Sequence, residues 1–575
     1  MSRRRRPPQH VWRGWRSVAL LVCFALAGGA LEARLVYLQL VDREFLSAQG
    51  DDRHMRTVQI SAHRGPIVDR NGEPLAVSTP VDTIWANPKE LMPEIDRVGE
   101  LADVLDVESD WLVRRVTSNL DRDFVYLRRH LRPDHAASAL KLGLPGVGSL
   151  REYRRYYPGG EVTGHLLGFT NIDDQGQEGL ELAFDYWLRG ETGSKRVVQD
   201  RLGRVIEDVE LLAPARPGRP LKTSIDLRVQ YLAYRELKRA VTESSALSGS
   251  VVILDVETGE VLAMVNQPSF NPNDRSQLDV SRYRNRAVTD IFEPGSSFKP
   301  LVVAAALETG RYSSDSTIDT SPGYLRVGGK IITQDSNDLG RIDLGTILAR
   351  SSNVGVGKLA LDLDQGQLWS VLNGFGIGRL TESGFPGESA GVLNDPQFWR
   401  PVGQATMAYG YGLSVTTLQL AQAYATIAAE GIERPVSLLA VDAPPPGRRV
   451  ISAGTARAVK GMLETVVSPR GTGLRAAVPN YRVAGKTGTA WKSAVGGYSK
   501  DRYLAVFAGL APVTQPKLVA VVVIDEPRGE DYYGGEVAAP VFSSIVSGAL
   551  RLLAVAPDGL TEPPQTIVAH AGGVQ

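Results

Sequence analysis

At 575 residues the chain exceeds one ordinary domain, and 43% hydrophobic with 22% charged residues suits folded units with real cores. Lys plus Arg and Asp plus Glu each total 64, a balance without the basic excess of a nucleic-acid binder. The single cysteine, Cys23, excludes an intramolecular disulfide and a thiolate metal centre.

Arg3, Arg4, Arg5, Arg6, Arg13 and Arg16 crowd the segment 1–16, which reads as a basic cytoplasmic tail. An uncharged run, Val18 to Leu31, follows. Glu32 and Arg34 interrupt it, and Leu35, Val36, Tyr37, Leu38 and Leu40 resume it. A spanning helix needs about 20 mostly apolar residues, so 17–40 is expected to be a transmembrane anchor whose late charges sit at the outer interface. A cleaved signal peptide has the same basic start, but the apolar pattern continues past the small residues Gly28–Ala30 and favours an uncleaved anchor. Cys23 follows the large Val22, which argues against lipoprotein processing, and it reads as a small hydrophobe. The arginines keep the tail inside and send the rest of the chain outside.

Two units are expected beyond the anchor. Residues 41–220 carry Arg64-Gly65-Pro66-Ile67-Val68-Asp69-Arg70-Asn71-Gly72, in which Asn71-Gly72 suits a tight hairpin, then Tyr156–Gly160 and Gly176–Glu181. None pairs a nucleophile with a base, so this unit reads as a structural pedestal of docking or dimerisation type. A Pro-rich connector, 213–220, ends it. Residues 221–555 begin with a predicted hairpin, Ser250–Asp255 and Val261–Val265. An apolar helix over Leu301–Leu307 follows a Pro294-Gly295 break, and strands are predicted at Tyr503–Leu510 and Leu518–Ile524. Strands at both ends with helices between predict an α/β (α+β) unit in which the terminal strands share one antiparallel sheet flanked by helices. The tail 556–575, rich in Pro and Gly, reads as disordered.

The chemistry concentrates in three places. Ser296 and Lys299, three apart after the Pro-Gly break, share one helical face. Lysine serves as base to serine where histidine is absent, and a helix start favours developing negative charge. A lone Ser-x-x-Lys arises by chance about once in a chain this long. The specificity comes from Ser351-Ser352-Asn353 and Lys486-Thr487-Gly488-Thr489 following in order. In this reading Ser296 attacks a carbonyl and Lys299 takes its proton. Ser351 relays that proton to the leaving amine, Asn353 orients Lys299 and holds a substrate amide, and Lys486 offers charge to a substrate carboxylate. Thr487 and Thr489 hydrogen-bond that carboxylate, Gly488 lets the substrate backbone lie flat, and the backbone N–H groups of Ser296 and Thr489 form an oxyanion hole. With seven histidines and no His/carboxylate spacing, no metal site and no cofactor are expected.

The three motifs, their order and their spacing resemble those of the penicilloyl-serine transferases. The segments Arg64–Gly72, Tyr156–Gly160 and Gly176–Glu181 resemble motifs of the non-catalytic domain of class B penicillin-binding proteins. Glu293, the chain length and Gly410-Tyr411-Gly412-Leu413-Ser414-Val415-Thr416 are similar to the division-specific branch. The elongation-specific branch, the alternative, more often has Pro in place of Glu293. The resemblance implies a D,D-transpeptidase of the inner membrane that cross-links peptidoglycan stem peptides in the periplasm. It also implies covalent inhibition by β-lactams, and aromatic residues such as Tyr498, Tyr532 and Tyr533 packing on their side chains. No segment reads as a glycan-polymerising domain, and the family pattern implies work beside a SEDS-family glycosyltransferase and other divisome proteins. A serine β-lactamase or D,D-carboxypeptidase would share the fold. The first needs a deacylating acid for which no motif is evident. A non-catalytic scaffold or β-lactam sensor, a different class of reading, is disfavoured by the complete set of chemical residues.

Overall fold

The computed structural model describes residues 11–43, 55–199, 205–276, 279–333, 338–494 and 496–560. The cluster Arg3–Arg6 and the tail beyond 560 lie outside the described residues. Helix α1 (Val11–Val36) carries Arg13 and Arg16 inside it, where a separate tail was expected; no proline stops the helix from extending back through them. Exposed Leu21, Phe24 and Leu31 clothe it, and Gly14–Val41 is long and apolar enough to cross a membrane.

The chain forms two compact units. The smaller comprises residues up to Ala62, Pro80–Tyr153 and Glu191–Arg216. In it, helices Val98–Leu105, Ser109–Thr117 and Pro133–Lys141 bury Leu101, Leu105, Leu112, Val116 and Ala136 with Leu127 of strand Val125–Leu131. Strands Met55–Ile60, Gly193–Gln199 and Val205–Ala213 form a separate antiparallel sheet there.

The larger unit takes His63–Thr79, Arg154–Gly190 and the chain from Pro217 onward. Contacts thus do not follow the expected boundary at 220. Arg64–Gly72, Tyr156–Gly160 and Gly176–Glu181 all fall in the unit that holds Ser296, Ser351 and Lys486. A buried ionic knot ties these segments to one another, and the bonds of Asp69 with Leu227 N and of Arg70 with Glu260 join them to the chain beyond 217. Arg64, 1% exposed, donates to Glu181 at 2.6 Å and Asp185 at 2.7 Å, and Arg155 donates to the other Glu181 oxygen at 2.6 Å. Such buried charges are tolerated only when fully paired. Asn71-Gly72 forms the expected turn, with Gly72 at φ +93° and the Asp69 carboxylate accepting from the Asn71 and Glu73 amides. The other Asp69 oxygen accepts from Leu227 N at the start of helix α2 (Leu227–Glu243).

The sheet of this unit matches the expected topology. Strands β1 (Ser248–Asp255), β2 (Val261–Gln267), β3 (Ala484–Ala494), β4 (Gly497–Ala511) and β5 (Leu518–Asp525) lie antiparallel in the order β2-β1-β5-β4-β3. Successive strand residues face opposite sides. Val519, Val521 and Val523 of β5 join one core, whereas Leu518, Ala520, Val522 and Ile524 join the other. Both faces are therefore dry, which explains the unbroken apolar runs. Helices α3 (Lys299–Glu308), α4 (Asn353–Leu361) and α5 (Thr417–Ala428) fill the first side. On the second lie α2 and α6 (Gly534–Leu552).

Candidate active site

Ser296 does not open α3. It sits in a preceding 3₁₀ turn, Gly295–Phe298, and α3 starts only at Lys299. Proline at 300 accounts for the step, since it cannot continue a hydrogen-bonded helix back through the serine turn. The turn is held from several sides. Gly295 adopts φ +57°, Ser297 Oγ donates to the Pro294 carbonyl at 2.7 Å, and the buried Tyr424 hydroxyl donates to the Ser297 carbonyl at 2.7 Å. Phe292 and Val415 exchange backbone hydrogen bonds of 2.9 Å.

Lys299 and Lys486 are both fully buried and meet at one hydroxyl. Lys299 Nζ donates to the Ser351 carbonyl at 2.5 Å, to Ser351 Oγ at 3.0 Å and to Asn353 Oδ1 at 2.7 Å. Lys486 Nζ reaches the same Ser351 Oγ at 3.1 Å and the Thr487 carbonyl at 3.1 Å. Burial pushes the Lys486 amine down to about 7. Ser351 occupies the junction after helix Leu344–Ala349 at φ +55°, a left-handed conformation costing roughly 1–2 kcal/mol for a residue with a Cβ. Ser352 then caps α4, accepting from Gly355 N at 3.0 Å.

Gly488 has a use beyond the expected one. A Cβ there would stand 2.7 Å from the Pro294 carbonyl oxygen and 3.2 Å from Ser297. The missing side chain lets β3 press against the serine turn. Gly410 is equally constrained, since its Cβ would meet the Gly295 carbonyl oxygen at 2.1 Å.

Two cavities flank Ser296, sharing Ser296, Thr489 and Tyr533. The first, about 460 Å³, is walled by Asn353, Tyr409, Tyr411, Trp491, Tyr498, Tyr503 and Tyr532, with Ile331 and Ile332 opposite. The second, about 600 Å³, is lined by Ser351, Thr487, Thr472, Arg350, Arg470, Arg475 and Glu536. Thr487 and Thr472 hydroxyls lie 2.8 Å apart, and Thr489 Oγ1 accepts from Gly534 N at 3.0 Å. Tyr532 stacks on Tyr503 at 4.1 Å and on Tyr533 at 4.4 Å between centroids. Tyr498 packs edge-on against Tyr411 at 5.2 Å.

The eleven residues expected from sequence therefore gather around one serine. Tyr424, Tyr409, Tyr411, Tyr503, Trp491 and the arginines of the second cavity were not anticipated as site residues. Of these, only Tyr411 lies in a run singled out from the sequence, Gly410–Thr416, which is similar to the division-specific branch. Among the described residues no cluster of His, Cys, Asp or Glu suits a metal ion.

A family model described as the penicillin binding protein transpeptidase domain matches residues 249–547, and one for the penicillin-binding protein dimerisation domain matches 59–223. The chain is 46% identical over 552 residues to the peptidoglycan D,D-transpeptidase FtsI of Escherichia coli strain K12, covering 95% of this chain and 93% of that one. It is 41% identical over 556 residues to the probable peptidoglycan D,D-transpeptidase PbpC of Pseudomonas aeruginosa, covering 96% and 98%. A crystal structure of a peptidoglycan synthetase from Bifidobacterium adolescentis superposes with a TM-score of 0.70 at 25% identity, covering 88% of this chain and 98% of that one. The transpeptidase domain of Burkholderia pseudomallei penicillin-binding protein 3 superposes with a TM-score of 0.54 at 43% identity, covering 58% and 97%.

Proposed function

Because the chain belongs to the class B penicillin-binding proteins, we propose that its site works by acyl transfer through Ser296. The protein is a serine-type peptidoglycan D,D-transpeptidase of the division-specific kind, cross-linking stem peptides and serving as a β-lactam target. The observation that carries the residue roles is the Ser351 hydroxyl shared by Lys299 and Lys486, 3.0 and 3.1 Å away.

Ser296 Oγ attacks the carbonyl carbon of the penultimate D-alanine, and Lys299 takes its proton. The carbonyl oxygen becomes an oxyanion held by backbone N–H groups of Ser296 and Thr489. The tetrahedral species collapses to a Ser296 ester. The bond to the last D-alanine breaks, and its amine receives the proton through Ser351. Charged Lys486 with Thr487 and Thr489 holds the departing carboxylate, and Asn353 keeps Lys299 aimed. An amine of a neighbouring stem peptide then attacks the ester by the reverse proton path. It releases Ser296 and leaves a new amide. Tyr498, Tyr532 and Tyr533 receive the acyl side of the donor or of a β-lactam.

The apolar helix and the basic residues before it support a single-pass anchor with the catalytic unit in the periplasm. The domain plan keeps 41–220 as a docking segment and 221–555 as the transpeptidase. A SEDS-family glycosyltransferase as partner follows from the family pattern. Fluorescent penicillin tests the core of this reading. It labels the wild-type protein covalently and leaves Ser296→Ala unlabelled. Labelling of that variant would overturn it. Many turnovers of a chromogenic cephalosporin per enzyme would indicate a lactamase instead. Cross-linking of nascent glycan by the reconstituted pair tests the partner, and midcell fluorescence of a tagged chain tests the division role.

A further inference from the structure

Glu293 lies three residues before Ser296. Its Oε1 accepts the Gly412 backbone N–H at 2.7 Å and the Tyr498 hydroxyl at 2.9 Å. One oxygen thus joins three pieces of chain far apart in sequence: the serine turn, the loop at Gly410–Gly412 and the β3–β4 hairpin near its tip. The joint is reinforced on each side. Gly295 N donates to the Gly410 carbonyl at 3.3 Å, Trp491 N donates to the Tyr411 hydroxyl at 3.1 Å, and Tyr411 braces Tyr498 edge-on. The second oxygen, Oε2, is buried and has no hydrogen-bond partner among the described residues. Leaving a buried carboxylate oxygen unmatched costs free energy, and burial raises the Glu293 carboxyl above its ordinary range.

The tethered groups define its effect. Tyr498 is 43% exposed and stands in the wall of the aromatic cavity, where the Glu293 bond and the edge-on contact with Tyr411 hold its ring. β4 pairs with β3 through Ser493 and Tyr498 beyond a register shift after Trp491, outside the regular ladder. The hydroxyl bond to Glu293 ties this part of the hairpin to the serine turn, and the Tyr411 contacts hold it to the Gly410–Gly412 loop. Lys299, Lys486 and Ser351 have their own hydrogen bonds and do not depend on it.

We propose that Glu293 is a positioning residue that fixes Tyr498 and Gly412 relative to Ser296, and so sets which acyl side chains the aromatic cavity accepts. This rests on Ser296 being the nucleophile. Glu293 touches no reacting atom. It acts on ligands that fill the cavity and is indifferent to ligands that do not.

The test compares acylation of the full chain in detergent by benzylpenicillin, which carries an aromatic side chain, and by 6-aminopenicillanic acid, which carries none. Adduct formation is followed by intact mass. In Glu293→Ala the second-order acylation constant for benzylpenicillin should fall about tenfold, and that for 6-aminopenicillanic acid by less than threefold. Glu293→Gln keeps an oxygen acceptor for both donors and should restore most of the loss. Tyr498→Phe should lose as much as Glu293→Ala, and the double variant no more than either alone. Equal losses for both probes, failure of Gln to rescue, or additive effects would each overturn the proposal. Should Glu293→Ala not fold, Tyr498→Phe and Glu293→Gln still decide it through the ratio of the two probes. No adduct in the wild type with either probe would defeat the reading of Ser296 itself, a distinct result.

Discussion

Lys486 Nζ stands 3.1 Å from the Ser351 hydroxyl, which Lys299 Nζ also reaches at 3.0 Å. A serine hydroxyl has two acceptor lone pairs and one proton to give. In reach of two amines, it is the group the proposed proton path uses. Ser351→Ala should slow penicillin acylation by about 10²-fold, the lower end of what general acid–base catalysis supplies. Thermal stability should change little. Stopped-flow labelling measures it, and a change under threefold would remove Ser351 from the proton path.

Lys486 also makes stability depend on pH. Burial lowers its amine to about 7, whereas an unfolded lysine titrates near 10.4. Between those values the unfolded chain holds the proton and the folded chain does not, so this residue makes stability rise with pH. Below about pH 7 the folded state carries the full cost of a buried charge. Lys486→Met should therefore gain stability over wild type most at pH 6 and little at pH 10. Melting temperatures across that range check this, and a pH-independent difference would contradict it.

Gly488→Ala places a methyl 2.7 Å from the Pro294 carbonyl oxygen. Overpacking of this kind costs roughly 1–3 kcal/mol. The displaced group is the serine turn itself, so acylation should fall more than tenfold while the fold persists. Circular dichroism with penicillin labelling separates the two effects. Normal labelling would show that β3 yields instead of the turn.

Arg64→Ala leaves Glu181 facing only Arg155 in a site without water access. Removing one partner of a buried ion pair costs about 3–5 kcal/mol. Urea unfolding should show a loss of that size, although Arg64 contributes no atom to either cavity. A loss below 1 kcal/mol would mean that the knot relaxes around the gap.

Much of the site was legible because its chemistry lies in short contiguous runs. Ser351-Ser352-Asn353 carries a relay, a helix cap and a lysine ligand in three consecutive residues, and Lys486–Thr489 is one stretch of one strand. The sheet was legible because strands dry on both faces leave long apolar runs, as in Leu518–Asp525. Contacts across long separations left no such trace. Nothing local to Glu293 announces Tyr498, and nothing local to Arg64 announces Glu181. Chain order suggested a boundary at 220, while contacts such as Asp69 with Leu227 and Arg70 with Glu260 group segments before it with the larger unit. Ser296 was expected at a helix start because the Pro-Gly break is visible and the 3₁₀ turn that follows it is not.

The order of strands in the sheet has a temporal consequence. The middle strand, β5, ends at Asp525, yet it pairs with β1, which begins at Ser248. More than half of the larger unit is synthesised between the two partners, so the sheet has no centre until nearly the whole chain exists. Pairing across that separation is slow as well as late. A chain stopped between β4 and β5 therefore carries Ser296, Lys299 and the Lys486 strand without the central strand that joins them to β1. Termination before β5 is expected to leave no assembled site, and such a product should escape penicillin labelling.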